Sequence, residues 1–308
     1  MRTAIMAAIA LVALGAGSAR ATVPDIKSLA SVDGCRLHIE AGAANWQISG
    51  YDLFDGTPPE ATFDVTYTND GTANCVFVTH FSLDGDPYGL SGPGGDRASY
   101  ILFDAFSNFD ATPITGETRK SPLRRQVTLA PGHQQVVIVD FRVDRSDLQH
   151  DGTYAQHAQI EADRSDGTEL AGKSIVLGVQ VVPSARLGLA GAFTMRGGQP
   201  VVDLGELKEG LVDLPLDLKV DSTRRYDVTF DSQGGGRLRM AGTEWSIPYS
   251  LSVDGKLVSL TGGSGDYASA GPQRLQHDSL PLGFVIGDTS TRRAGTYSDV
   301  LSITVAPQ

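Results

Sequence analysis

From residue 35 onward, apolar and polar side chains alternate in short runs separated by turn residues, and this period of two restricts the fold more than any other feature. Phe63, Val65 and Tyr67 alternate with Asp64, Thr66 and Thr68, and Asn69-Asp70-Gly71 follows as a turn. The pattern returns in Cys75 to Phe81 and in Val137, Val139, Phe141 and Val143. Asp163-Arg164-Ser165-Asp166-Gly167 separates Tyr154 to Ala162 from the branched run Ser174 to Val182, which predicts a hairpin. No crossover helix of useful length intervenes, so packed antiparallel sheets are expected rather than a parallel α/β sheet.

A second unit opens near Ala185, after Pro183-Ser184. Leu214, Leu216, Leu218 and Val220 alternate with polar or turn residues, as do Tyr226, Val228 and Phe230. Gly234-Gly235-Gly236 then leads to short segments at Ser246 to Val253, Lys256 to Leu260, Leu280 to Ile286 and Tyr297 to Val305. The 41% apolar content can fill a core, and 36 Gly with 15 Pro suit many turns. The expectation is an all-β chain of two immunoglobulin-like sandwiches in tandem, residues 22–184 and 185–308.

The two units read as a degenerate repeat. Gly152-Thr153-Tyr154 and Gly295-Thr296-Tyr297 each open a strand, and Phe63 to Thr68 parallels Leu216 to Asp221. After the first Gly-Thr-Tyr the chain continues through a hairpin into Ser174 to Val182, whereas only one strand follows the second. The second sandwich is therefore expected to lack its last strand and to expose a groove lined by Leu214, Leu216, Leu218, Tyr297, Leu301, Ile303 and Val305. A strand donated by another chain would bury four or five side chains there, at roughly 1.5 to 3 kcal/mol each if fully buried, and would add a main-chain ladder. A strand not evident from the pattern could instead close the sheet.

The first residues are expected to direct export from the cytoplasm. Arg2, the apolar run Ala4 to Gly15 and the small residues of Ala19-Arg20-Ala21 form a secretory leader, residues 1–21, with cleavage expected after Ala21. No later segment is long and apolar enough to span a bilayer as a helix, so stable membrane insertion is not expected. The formal net charge of −11 disfavours nucleic acid and anionic membrane surfaces as partners. In an oxidising compartment the two cysteines, Cys35 and Cys75, are expected to form a disulfide that constrains the unfolded chain by roughly 4 kcal/mol.

At residue level the second unit resembles the spore coat protein U domain, the pilin-type module of archaic chaperone-usher pili. The marks are Val202-Asp203-Leu204-Gly205-Glu206-Leu207, the strand into Tyr226, the Gly-rich stretch leading to Leu238, Ile247-Pro248-Tyr249-Ser250-Leu251, and the ending Ala294 to Val305. The resemblance covers the second unit well and the first only loosely. It implies an incomplete immunoglobulin fold held by a periplasmic chaperone, then completed at an outer-membrane usher by a neighbouring subunit's donated strand. Two features depart from a shaft subunit: a further unit precedes the pilin-like one, and Val23, Ile26, Leu29 and Val32 recur at a period of three where a donor needs alternate side chains. The cysteine pair many members carry in this domain lies in the first unit here. A receiving groove without a donor resembles a tip adhesin, placed in the periplasm in transit and then on the cell surface.

No catalytic constellation, cofactor motif or metal-ligand spacing stands out. The histidines at 38, 80, 133, 150, 157 and 277 are dispersed, and His80 and His157 are expected on solvated strand faces. Gly89-Leu90-Ser91-Gly92 and Gly263-Ser264-Gly265-Asp266 lack the setting of a nucleophile elbow. Asp84, Asp86, Asp163, Asp166 and Glu169 read as turn chemistry rather than a calcium site. In the first unit Tyr51, Phe54, Tyr88, Leu90, Phe106 and Phe109 sit beside turn formers and are the candidates for an apolar adhesive patch at one end of the sandwich. Phe103 fits a core strand better. The same β pattern also suits a structural coat or matrix protein with closed domains, or a secreted carbohydrate-binding or hydrolytic sandwich with paired carboxylates.

Overall fold

The computed structural model describes residues 34–83, 86–106, 108–113, 126–212 and 214–308, and apart from two single 3-10 turns the regular elements among them are strands. The leader at 1–21, the spacing of Val23, Ile26, Leu29 and Val32, and Asp84 lie outside the described residues.

The first core is built by β1 (Leu37–Ala41), β2 (Asn45–Tyr51), β3 (Glu60–Asn69), β4 (Cys75–Ser82), β5 (Leu90–Ser91), β6 (Arg97–Ala98), β7 (Tyr100–Asp104), β8 (Phe109–Asp110), β9 (Gln126–Leu129), β10 (Gln134–Val143), β11 (Gly152–Asp163) and β12 (Glu169–Val181). One sheet has the order β1-β3-β10-β7-β8, and the facing sheet β2-β12-β11-β4-β9, with β5 attached to β11 and β6 to β5. The hairpin expected at Tyr154 to Val182 is the β11–β12 ladder, in register from Gly152↔Val181 to Ala162↔Ala171. Period-two strands put Val137, Val139, Phe141 and Val143 of β10 on one buried face. Trp46 is fully buried at the centre, stacked on Phe63 at 4.9 Å and edge-on to Phe81 at 5.8 Å.

Cys35 and Cys75 are both buried and joined by a disulfide with a Cα–Cα distance of 5.1 Å. The bond sits beside the turn after β3, which Asn69 organises. Its Oδ1 accepts from Gly71 N at 2.9 Å, while Nδ2 donates to Ala73 O at 2.9 Å and Leu129 O at 2.8 Å. A Cβ on Gly71 would lie 2.2 Å from Gly34 O, so this close approach requires glycine.

The second core is built by β13 (Ala185–Gly191), β14 (Thr194–Arg196), β15 (Gln199–Val201), β16 (Gly210–Val212), β17 (Leu216–Ser222), β18 (Tyr226–Ser232), β19 (Arg237–Arg239), β20 (Ser246–Val253), β21 (Lys256–Val258), β22 (Ser264–Ala268), β23 (Gln276–Ile286) and β24 (Leu301–Pro307). Its larger sheet has the order β13-β17-β23-β20-β19, with β16 on β23 and β21 on β20, and its smaller sheet β22-β18-β24. The hairpin β14–β15 stands apart and is exposed throughout.

Several expected bounds shift. The last strand starts at Leu301 rather than Tyr297, because Ser298 makes only an isolated bridge to Arg239 and Asp299 turns into a hydrogen-bond cluster. Leu214 precedes β17 and its carbonyl accepts from Leu216 N at 2.8 Å across Pro215, which has no amide hydrogen to place in a ladder. Lys256 to Leu260 shortens to β21, and Leu280 to Ile286 lengthens to β23.

The two cores meet through polar contacts and through Leu275, which packs on the first core. Arg224 pairs with Asp151, donating from Nε to Oδ1 at 2.9 Å. Leu275 N donates to Gln149 O at 2.7 Å, and the Arg186 guanidinium lies 5.3 Å from the centre of the Phe54 ring.

Candidate functional site

Strand by strand, the two sandwiches repeat one topology, and the difference between them defines the site. In chain order β1, β3, β4, β7, β9, β10 and β11 correspond to β13, β17, β18, β20, β22, β23 and β24. Thus β1-β3-β10-β7 matches β13-β17-β23-β20, and β11-β4-β9 matches β24-β18-β22. In the first unit β12 lies beside β11, antiparallel to it, and is flanked on its other edge by β2 in parallel register. In the second unit β24 pairs with β18 from Ser232↔Leu301 to Tyr226↔Pro307, and its other edge has no strand partner among the described residues.

Burial follows pairing. Ile175, Leu177, Val179 and Val181 of β12 are each at most 1% exposed. Leu301, Ile303 and Val305 of β24 point toward the core yet stay half-buried, and Ser302 and Thr304 between them are exposed. Near β24, β13 carries Leu187 and Leu189, also half-buried, and among the described residues it pairs only with β17. The strands β13 and β24 approach each other without a ladder between them. Val202, Leu204 and Leu207 pack on the same core from a stretch outside any strand. These half-buried side chains lie by two strands whose facing edges have no strand partner among the described residues, and an edge of that kind can take an added strand by main-chain hydrogen bonds and alternate side chains.

The approach to β24 is held by one carboxylate. Asp299 Oδ2 accepts from Ser232 Oγ at 2.5 Å and Tyr249 OH at 2.7 Å, and Oδ1 accepts from Gly234 N at 2.6 Å and Val300 N at 2.8 Å. A Cβ on Gly234 would lie 2.1 Å from Arg237 O, so the Gly-rich stretch is what lets the backbone close on Asp299. Burial, reinforced by its hydrogen bond to Asp299, pushes the Tyr249 phenol well above its ordinary range. Tyr226, donating to Asp278 Oδ2 at 2.6 Å, is raised in the same way, by burial first and the carboxylate second.

Of the residues assigned to the groove, Tyr297, Leu301, Ile303 and Val305 are half-buried against the second core, and Leu214 is half-buried just before β17. Leu216 and Leu218 are only 2% exposed and belong to the sealed core, because β17 is an inner strand paired to both β13 and β23. Leu187 and Leu189 were not legible as neighbours of β24: Arg186 to Gly191 offers a period of two, but not which edge it borders.

The adhesive candidates differ in burial and contacts. Tyr51 and Leu90 are core residues, at 6% and 0% exposure: a register shift between Ile48 and Tyr51 against β12 returns Tyr51 to the buried face, and Leu90 opens β5 with its side chain inward. Phe54 faces Arg186 of the second unit. Tyr88 accepts from Tyr100 N at 2.8 Å and is locked against that residue. Phe106 and Phe109 remain, half-buried around the β7–β8 turn, where Asn108 has φ 54. His157 is exposed as expected, whereas His80 is buried. A cleft of about 410 Å³ is lined by Asp254, Lys256, Tyr267 and Asp278, and both of these carboxylates accept from tyrosines, Tyr267 at 3.4 Å and Tyr226 at 2.6 Å.

No family model matches the chain, so the resemblance to the spore coat protein U domain has no such support, and no curated protein matches it. Among solved structures it is similar to a chain of the CsuC–CsuE chaperone–tip adhesion subunit pre-assembly complex from the archaic chaperone-usher Csu pili of Acinetobacter baumannii. That match has a TM-score of 0.46 and 13% identity over 87% of this chain and 99% of that one. The CupB6 tip adhesin of Pseudomonas aeruginosa has a TM-score of 0.36 at 10% identity, covering 88% of this chain and 95% of that one. CfaE, the adhesive subunit of the CFA/I fimbria of enterotoxigenic Escherichia coli, has a TM-score of 0.31 at 11% identity, covering 86% and 92%.

Proposed function

We propose that this chain is an exported, non-enzymatic adhesive subunit of a chaperone-usher pilus, positioned at the tip. Its second unit, residues 185–308, receives a strand from another polypeptide, first a periplasmic chaperone and then, at an outer-membrane usher, a neighbouring pilin subunit. The first unit, residues 22–184 after removal of the leader at 1–21, is the part presented at the cell surface. The observation that carries this reading is the contrast between β12, paired on both edges and buried, and β24, paired on one edge with Leu301, Ile303 and Val305 half-buried. A donated strand lying between β24 and β13 would take the place that β12 holds in the first unit.

The test appends to Gln308 a flexible linker and a seven-residue strand with alternate apolar side chains. The extended full chain is expected to melt about 10 °C higher in its second transition than one carrying a scrambled extension, from about 1 kcal/mol per newly covered side chain and the added ladder. The amides of β24 should gain hydrogen-exchange protection. Equal melting of the two extended chains, with β24 already protected in the parent, overturns the reading.

A further inference from the structure

His80 departs from the pattern of its own strand. In β4, Phe77 and Phe81 face the core, and Val76 on the opposite face is 40% exposed. His80 shares that outer face, yet its side chain is only 7% exposed. The register sets His80 opposite Glu161 of β11, and Asp163, two residues further on, stands on the same face. His80 Nε2 lies 2.6 Å from Glu161 Oε2 and 3.7 Å from Asp163 Oδ2. One donor atom from each of the three residues falls within 4.8 Å of the others. Neither ring nitrogen of His80 makes a hydrogen bond among the described residues.

A buried imidazole with no hydrogen bond and two converging carboxylates form a donor set for a borderline divalent ion. Tetrahedral bonds of about 2.1 Å space the donors roughly 3.4 Å apart, so closing on an ion requires His80 and Glu161 to separate by less than about 1 Å. Glu161, at 24% side-chain exposure, leaves a way in. Its carboxylate also accepts from Ser82 Oγ, an outer contact of the kind that orients a ligand. We propose that His80, Glu161 and Asp163 bind one zinc-type divalent ion. The ion would clip β4 to the end of β11, beside the β11–β12 turn and at the opposite end of that strand from the Asp151 contact with the second unit.

The experiment uses the untagged full-length mature chain, stripped with a chelator and titrated with Zn²⁺. Expected are one retained ion per chain after desalting and a melting temperature raised by about 5 °C or more at hundredfold saturation. His80→Gln and Glu161→Gln should each weaken retention by tenfold or more. Co²⁺ in place of zinc should show the visible absorption of a four- or five-coordinate site, lost in His80→Gln. If the parent chain retains no zinc and its melting temperature is unmoved by zinc or chelator, the proposal falls, and His80 packs directly against its two carboxylates without an ion. Equal retention by parent and His80→Gln overturns it as well, by placing the ion elsewhere. Should His80→Gln fail to fold, Asp163→Asn and the chelator arm on the parent chain decide the matter.

Discussion

Tyr249 donates its phenolic hydrogen to Asp299 Oδ2 at 2.7 Å, tying the middle of β20 to the residue two positions before β24. Replacing Asp299 by Ala leaves Tyr249, Ser232 and the Gly234 amide without their acceptor. The expected cost is about 2–4 kcal/mol. In urea the transition of the second unit should move to lower denaturant while that of the first stays in place, with faster exchange of the β24 amides.

Alkali should unfold the second unit through its tyrosines. Tyr226 and Tyr249 are both raised above 10.0, by burial first and by hydrogen bonds to Asp278 and Asp299 second. Each stays neutral in the folded chain while its unfolded counterpart ionises near the ordinary value. The stability they contribute is therefore complete below about pH 10 and is lost as pH rises toward the folded values, at up to about 1.4 kcal/mol per pH unit for each phenol. Between about pH 9 and 11, the Tyr226→Phe, Tyr249→Phe double variant should lose less stability than the parent, read by denaturant midpoints at each pH.

The ion pair between the units is measurable by a double-mutant cycle. Asp151 is buried at 8% side-chain exposure and Arg224 half-buried at 32%, so the coupling should be about 1–2 kcal/mol, below that of a fully buried charged pair. Asp151→Asn and Arg224→Met, singly and together, supply the cycle. A coupling near zero would mean that other contacts, among them the Leu275–Gln149 backbone bond and Arg186 against Phe54, hold the units together.

Reduction of Cys35–Cys75, 40 residues apart, should lower the stability of the first unit by about 4 kcal/mol in the chain-entropy model, a fall of roughly 10 °C. The second unit contains neither cysteine, so its transition should not move.

Ile303 separates folding from strand acceptance. Half-buried in the parent chain, it should cost only about 1–1.5 kcal/mol on replacement by Ser. The same variant should lose most of the thermal gain conferred by a strand appended to Gln308.

Alternation alone marked out most strands, because a period of two assigns residues such as Val137, Val139, Phe141 and Val143 to one face whatever packs against it. The hairpin from Gly152 to Val181 was legible for the same reason, with its turn written between two apolar runs. The half-buried trio Leu301, Ile303 and Val305 could be read from the chain's last alternating segment. Tertiary structure alone decided which faces are covered and which edges are paired. Tyr51 and Leu90 looked like loop anchors and are core; His80 looked solvated and is enclosed; Leu218 looked like cleft wall and lies in an inner strand. Each of these outcomes depends on a partner far along the chain, as when Asn45–Tyr51 runs parallel to the strand ending at Val181. Local alternation records how a strand presents its side chains, but the free energy of covering them belongs to contacts between segments, and only the assembled sheets show that β24 has one strand partner among the described residues.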